Sequence, residues 1–277
     1  MQSLSKNKIK QLNKLKQKKY RDQYEMYMVS GFRHARAAVN AQNVIIEYIL
    51  VTADGFKQMD QLGTVFRKIY DIPLYQINDN EMKSLSDEQS SQGIVMVLRK
   101  PTTGGQRPKP SPGNTAIYLY RINDPGNLGT IIRTALWFGF QNLLLSPGSA
   151  DPYQPKAVRS AAGYSTYATI YDDVNMDDLM HLRTQGFHLI SASVEGGQPP
   201  SQISLSPDVP FILLLGSEAH GLPDECREKS DHVLTIPKYG FGESLNLGVA
   251  AGIILSHLAG NRQTTNPLNK GLIEHGT

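Results

Sequence analysis

The chain has 277 residues, 40% of them hydrophobic, and a formal net charge of +3. That length suits two domains with real cores. One cysteine, Cys226, excludes an intrachain disulfide, no Cys/His spacing suggests a metal site, and no run approaches the roughly 18 apolar residues of a membrane span. With no apolar signal core at the N-terminus either, the composition points to a cytoplasmic protein free of membrane and metal.

Residues 6–30 read as a polar helix. Ile9, Leu12 and Leu15 make a thin apolar stripe, which Tyr24, Tyr27 and Met28 widen. Eight basic residues and no acidic one fall between Lys6 and Arg21. Such a block favours a polyanion or is simply a solvated face. Gly31 breaks the pattern, and residues 32–39 read as a short helix. Its Arg33, His34 and Arg36 either contact phosphate or face water. A strand at 48–52, a helix at 58–70, a strand at 73–77, a helix start at 79–85 and a strand at 92–98 follow. This alternation predicts one small α/β domain, residues 1–99.

Residues 100–114 hold four prolines and three glycines in fifteen positions. They read as a linker of intermediate stiffness, because proline extends the chain and Gly104-Gly105 loosens it. Beyond it, strands at 116–122, 142–145, 168–171, 187–192, 211–215 and 232–236 alternate with helices at 128–138, 155–162, 176–184 and 245–258. That order predicts a parallel sheet with helices on both faces over residues 115–260. Residues 261–277 are polar and read as a disordered tail.

Three loops at strand ends carry the polar chemistry. The first, NDPGNLGTIIRTA at 123–135, follows a strand and opens a helix, with Asn127 a candidate N-cap. Arg133 lies opposite the Leu128, Ile132 and Ala135 face, one turn beyond the small Gly129 and Thr130. It suits a phosphate or ribose, and equally an ordinary surface position. The second, GSEAHGL at 216–222, follows the most apolar strand. Gly216 and Gly221 permit a tight turn, and Glu218 stands where ligands bind in open α/β sheets. Acids also begin helices, as Pro223-Asp224-Glu225 does next. The third is IPKYGFGESLN at 236–246. Ser244 reads as an N-cap, the helix start offers free N–H groups to an anion, and Gly240 and Gly242 let backbone approach a ligand. No G-x-G-x-x-G, G-x-S-x-G or P-loop pattern is present. His34 and His220 read as solvent-facing or structural. Taken alone, these residues describe a nucleotide-like ligand held by loops of an atypical α/β domain.

Together, N-x-G-x-x-x-R-T-A at 127–135, G-x-E-x-x-G-L at 216–222 and I-P…S-L-N…V-A-A at 236–251 resemble the SpoU (TrmH-type) branch of the SPOUT RNA methyltransferases. The segment at 150–163 is also similar to that family. The resemblance covers roughly 115–260. The first hundred residues resemble, more loosely, the ribosomal-protein-like α/β substrate-binding domain often fused to it. The resemblance implies transfer of a methyl group from S-adenosyl-L-methionine to a ribose 2′-hydroxyl of rRNA or tRNA. It implies a SPOUT sheet with a trefoil knot, a rare exception to unknotted connections, and a homodimer through that domain. By the family's pattern, Asn127, Arg133, Glu218, Ser244 and Asn246 form the catalytic site. Leu215, Gly216, Gly221, Ile236, Leu245 and Asn246 line the cofactor pocket. Lys14, Lys18, Arg33, Arg36 and Arg133 are the candidate RNA contacts. Ser217, Ala219 and Leu247-Gly248 depart from the family's usual residues, but only in loop packing. Two other readings remain open: a non-catalytic RNA-binding or ribosome-assembly factor of the same fold, and a small-molecule nucleotide enzyme using the same loops.

Overall fold

The computed structural model describes residues 2–59, 69, 71–86, 92–101, 103 and 105–260. They build two sheets. The first has five strands in the order β1 (Gln2–Ser3), β4 (Leu74–Gln76), β3 (Ile46–Val51), β5 (Ile94–Arg99), β2 (Met26–Ser30). β1, β4 and β3 run parallel, and β5 is antiparallel to both β3 and β2. Around them lie α1 (Lys6–Asn13), α2 (Lys18–Tyr24), α3 (Phe32–Asn40), α4 (Ala53–Lys57) and α5 (Asp79–Leu85). The acidic start seen at Asp79 is a full capping box, Asn78 and Glu81 each accepting the other's backbone N–H.

The single helix expected over 6–30 is corrected. A 3₁₀ turn at Lys14–Lys16 interrupts it, Glu25 ends it in a left-handed conformation (φ 50°), and residues 26–30 form β2. Tyr24, Tyr27 and Met28 fit a helical stripe by spacing. In the fold, Tyr27 and Val29 are buried at period two against β5, and that alternation is the one realised. The helix expected over 58–70 lies almost entirely outside the described residues, of which Met59 and Ile69 are buried. The tail at 261–277 lies outside them too.

The second sheet is wholly parallel, as expected. Its six strands follow the order β11 (His232–Leu234), β9 (His188–Ala192), β10 (Phe211–Leu215), β6 (Thr115–Leu119), β7 (Asn142–Leu145), β8 (Thr169–Tyr171). Alternation along the two central strands sorts the core into two layers. Ala116, Tyr118, Ile212 and Leu214 face α8 (Met176–Thr184) and α9 (Asp224–Glu228). Ile117, Leu119, Leu213 and Leu215 face α6 (Pro125–Trp137), α7 (Pro155–Ser160) and α10 (Leu247–Gly260). Both faces are covered, so β10 reads FILLL without a polar break. Each such fully buried aliphatic contributes about 1.5–3 kcal/mol.

The two sheets share one apolar cluster. Tyr27, Val29, Phe32 and Ala35 from the first join Tyr153, Val158 and Ala161 from the second. The rings of Tyr27 and Tyr153 sit 4.9 Å apart. Arg21, at the end of the basic block, is removed from solvent altogether: its side chain is 3% exposed and pairs with Asp151. It is therefore a structural cation rather than part of a polyanion surface. Among the described residues between Arg99 and Thr115 no helix or strand forms, but Arg107 donates to Asp178 at 3.0 Å and ties the stretch to α8.

Candidate active site

The C-terminal ends of β6 and β10 lie side by side, paired through Leu119 and Leu215. Each leads into one of the loops singled out above. After β6 the chain turns at 120–124 and enters α6. Asp124, not Asn127, is the N-cap: its Oδ1 accepts the Asn127 backbone N–H at 2.8 Å, and Pro125 follows at the first helical position. Lys156 donates to the other oxygen of Asp124 at 2.7 Å. The Lys156 ammonium, with the Asn127 N–H, holds the Asp124 carboxyl below the usual aspartate range. The loop after β10 is closed by mutual backbone bonds between Ser217 and Gly221, at 3.1 and 2.9 Å. A Cβ on Gly216 would lie 2.1 Å from the Gly221 carbonyl carbon, so only glycine allows this turn.

These turns place the side chain of Asn127 against Glu218 and Asn246. Asn127 Nδ2 donates to Glu218 Oε1 at 2.8 Å, and Asn246 Nδ2 donates to Asn127 Oδ1 at 3.0 Å. Three segments separated by 91 and 119 residues thus meet in one hydrogen-bonded chain. Beside it opens a shallow cleft of about 540 Å³, lined by Arg121, Asn123, Asp124, Asn127, Glu218 and His220 among others.

Asn246 also caps α10, accepting from the backbone N–H of Gly248 at 2.9 Å and Val249 at 3.3 Å. This corrects the N-cap role expected of Ser244, and α10 begins at Leu247 rather than at 245. Ser244 is exposed, and no hydrogen bond of its side chain occurs among the described residues. Arg133 is on α6, exposed, as its position opposite Leu128, Ile132 and Ala135 requires. It lies outside the Asn246–Asn127–Glu218 chain, nearly two turns along the helix from Asn127. The α6 face beside it is built from small residues. A Cβ on Gly248 would sit 3.0 Å from Thr130 Cγ2, and one on Gly252 would sit 3.6 Å from Thr134 Cγ2. Through these pairs α10 lies closely on α6.

The expected cofactor residues fall at one end of the sheet. Leu215 and Gly216 are buried at the end of β10, Ile236 is half-buried just past β11, and Gly221 and Leu245 are exposed. From Ile236 to Leu245 no backbone group is hydrogen-bonded among the described residues. Such a strip of unpaired donors and acceptors next to Ile236 and Leu245 fits an adenosine-type ligand. The apolar side chains suit the base, and backbone groups suit its polar edge. Cys226 offers no competing thiol chemistry, since burial pushes it up to about 11. Among the described residues no group of His, Cys, Asp and Glu could hold a metal ion, and no helix is long and apolar enough to cross a membrane.

On the first sheet, Lys14, Lys18, Arg33 and Arg36 are all exposed. Lys18 is paired with Asp22 at 3.2 Å, and the Lys14 ammonium sits 5.2 Å from the Tyr20 ring. Arg33 and Arg36 have no partner among the described residues. His34 is half-buried and bonded to the Ser30 carbonyl, and His220 is exposed. Sequence reasoning left Arg121, Asn123, Asp124, Ser217, Ala219 and His220 of the cleft out of the site. Asp124 was legible, since Asp-Pro before a helix is a cap followed by the first turn. Arg121 carried no signal.

Comparison with known proteins gives the family. The SpoU rRNA methylase family matches residues 114–256, and the MRM3-like substrate binding domain matches residues 6–96. The chain belongs to the SpoU rRNA methylase family. The 23S rRNA (guanosine(2553)-2′-O)-methyltransferase RlmP of Bacillus subtilis is 27% identical over 94% of this chain and 99% of its own. An AdoMet-bound rRNA methyltransferase from Sinorhizobium meliloti superposes with a TM-score of 0.79 at 27% identity, over 93% of this chain and 95% of that one. An RNA 2′-O ribose methyltransferase shares the fold, with a TM-score of 0.79 at 22% identity over 95% of this chain and 98% of that one.

Proposed function

We propose that the cleft beside Asn127 and Glu218 receives a ribose of ribosomal RNA, and that Leu215, Gly216, Gly221, Ile236, Leu245 and Asn246 hold the cofactor. The protein is an RNA 2′-O-methyltransferase that uses S-adenosyl-L-methionine. The observation that carries the site is the Asn246–Asn127–Glu218 chain, which couples the loops of the first, second and third motifs.

Bound S-adenosylmethionine supplies an electrophilic methyl group. The protein's part is alignment, which alone accounts for much of such a rate enhancement. Asn127 and Asn246 orient the ribose, and Glu218 holds the Asn127 amide in one rotamer by accepting from it. Arg133 binds the adjacent phosphate and stabilises negative charge growing on the 2′-oxygen. A guanidinium is a poor base, so the hydroxyl proton leaves to a phosphate oxygen or to water. Ser244 contributes to the shape of the loop ahead of α10.

Residues 1–99 bind the RNA and residues 115–260 transfer the methyl group, with 100–114 between them. Arg33 and Arg36, exposed on α3 and without a partner among the described residues, support that division. Large apolar side chains left in solvent on and beside the α6–α10 pair support a homodimer: Trp137 (84% exposed), Tyr239, Phe241, Leu245 and Val249. The trefoil knot is proposed on the family resemblance, with the chain running from β11, at one edge of the sheet, to α10 against α6. An RNA substrate of this kind supports a cytoplasmic location.

Mapping ribose methylation in total RNA from cells with and without the gene tests the assignment. One 2′-O-methyl should vanish from rRNA. A loss confined to tRNA overturns the substrate, and no loss with no heat on titrating S-adenosylmethionine favours the non-catalytic RNA-binding reading. Arg133→Ala should abolish transfer at unchanged stability, and undiminished transfer would sink its role.

A further inference from the structure

Arg121 enters none of the motifs, yet it lines the same cleft as Asn127 and Glu218. Its backbone is left-handed (φ 49°), a region disfavoured for any residue with a Cβ and natural to glycine. The surroundings hold it there. Its N–H donates to Ser146 Oγ at 2.8 Å, the Tyr120 N–H donates to the Leu215 carbonyl at 2.9 Å, and Ile122 is fully buried next to it. The backbone is therefore fixed in a conformation that arginine does not favour. A residue kept in a disfavoured conformation by its neighbours is a reasonable place to look for function.

The side chain is placed too. The guanidinium carbon lies 5.4 Å from the centre of the Tyr120 ring. Cation–ring contact occupies a face of the guanidinium and leaves its N–H edge free. Among the described residues no anion claims that edge. In the cleft, Asp124 is bonded to Lys156 and to the Asn127 N–H, and Glu218 accepts from the Asn127 side chain. Among the described residues the Arg121 guanidinium has no hydrogen-bond or ion-pair partner. A planar cation with an open edge at the mouth of a ribose site matches a phosphodiester, which it can grip with two parallel N–H donors.

We propose that Arg121, supported by Tyr120, binds an RNA phosphate adjoining the ribose that is methylated. The proposal rests on the methyltransferase reading of the cleft. Arg121→Gly is the informative variant, because glycine adopts the observed backbone without strain and the fold should be at least as stable. RNA affinity is measured over a range of salt concentrations for the full-length protein, the glycine variant and Arg121→Lys, with S-adenosylmethionine binding followed by calorimetry. The glycine variant should bind RNA about tenfold more weakly, and its log–log salt slope should fall by about one. Cofactor affinity should stay the same. Lysine should restore the slope but only part of the affinity, since it keeps the charge and loses the fork. Equal affinity and slope for the glycine variant would overturn the proposal. Weaker binding at an unchanged slope would also overturn it, by showing contact with a base instead of a phosphate. Failure of the unaltered protein to transfer methyl groups would remove the activity reading, a result separate from either binding outcome.

Discussion

Arg21 reaches Asp151 from the other sheet, donating from Nε at 2.8 Å and Nη2 at 2.6 Å to the same oxygen while Nη1 donates to the Leu15 carbonyl at 2.7 Å. The second Asp151 oxygen accepts the Tyr153 N–H at 2.8 Å. Both charges are out of water and nearly every polar atom is used. Removing one partner leaves the other charged and buried. Asp151→Ala should therefore cost about 3–5 kcal/mol, read by urea or guanidinium unfolding. Arg21→Met together with Asp151→Leu should recover most of it, because no charge is then stranded. A loss under about 1 kcal/mol for the single variant would mean that the pair is not dry in solution.

Asn246 lets its two roles be separated. An aspartate there can still accept from the Gly248 and Val249 N–H groups, but it cannot donate to Asn127. Asn246→Asp should keep stability and lower kcat by about 10²-fold, the size expected when a positioning contact slips by roughly 1 Å. Asn246→Ala should lose about 1 kcal/mol as well, the value of a cap. Single-turnover methyl transfer alongside thermal melts distinguishes them, and full activity in the aspartate variant would remove Asn246 from the site.

At Gly129, α6 packs directly on the backbone of α7. A Cβ there would fall 2.3 Å from the Ala157 carbonyl oxygen and 2.6 Å from Ser160 Cβ. Backbone cannot give way as a flexible side chain can, so Gly129→Ala should destabilise by about 1–3 kcal/mol despite alanine's better helix propensity. An unfolding midpoint at or above that of the unaltered protein would contradict this packing.

The Asp124 carboxylate is held below its ordinary range by Lys156 and by the Asn127 N–H. A depressed folded-state value means that the carboxylate contributes stability at neutral pH. That contribution begins to fade as pH drops through the unfolded value of about 4, and it is gone below the folded one. Asp124→Asn keeps a cap but has no such titration. Melting temperatures of the two proteins should differ near pH 7 and converge as pH falls through the lowered folded-state value. A constant gap across that range would show that Asp124 is not charged in its role.

Much of this site is legible in the chain. The sheet domain follows from strands separated by helices, because continuous apolar runs such as residues 211–215 can be buried only between covered faces. Asn127, Glu218 and Asn246 each stand in a recognisable loop. What could not be read is which of them touch, and which end a helix. Ser244 and Asn246 are both good caps by residue type, and Asn127 and Asp124 likewise. The choice depended on where the backbone N–H groups pointed. Residues 26–30 failed for a related reason: Tyr24, Tyr27 and Met28 satisfy a helical spacing locally, and only β5, nearly seventy residues away, rewards the strand.

By itself, the sequence determined the α/β class of the second domain, the three loops that carry its chemistry and the glycines that permit their turns. All depend on local spacing, on residue type or on a missing Cβ. The tertiary structure alone decided that Asn246, Asn127 and Glu218 form one chain, that Arg21 is buried while Arg33 and Arg36 are not, and that Arg121 opens onto the cleft. Those outcomes depend on distances between segments up to 130 residues apart. They were set when packing brought the ends of β6 and β10 together and laid α10 against α6.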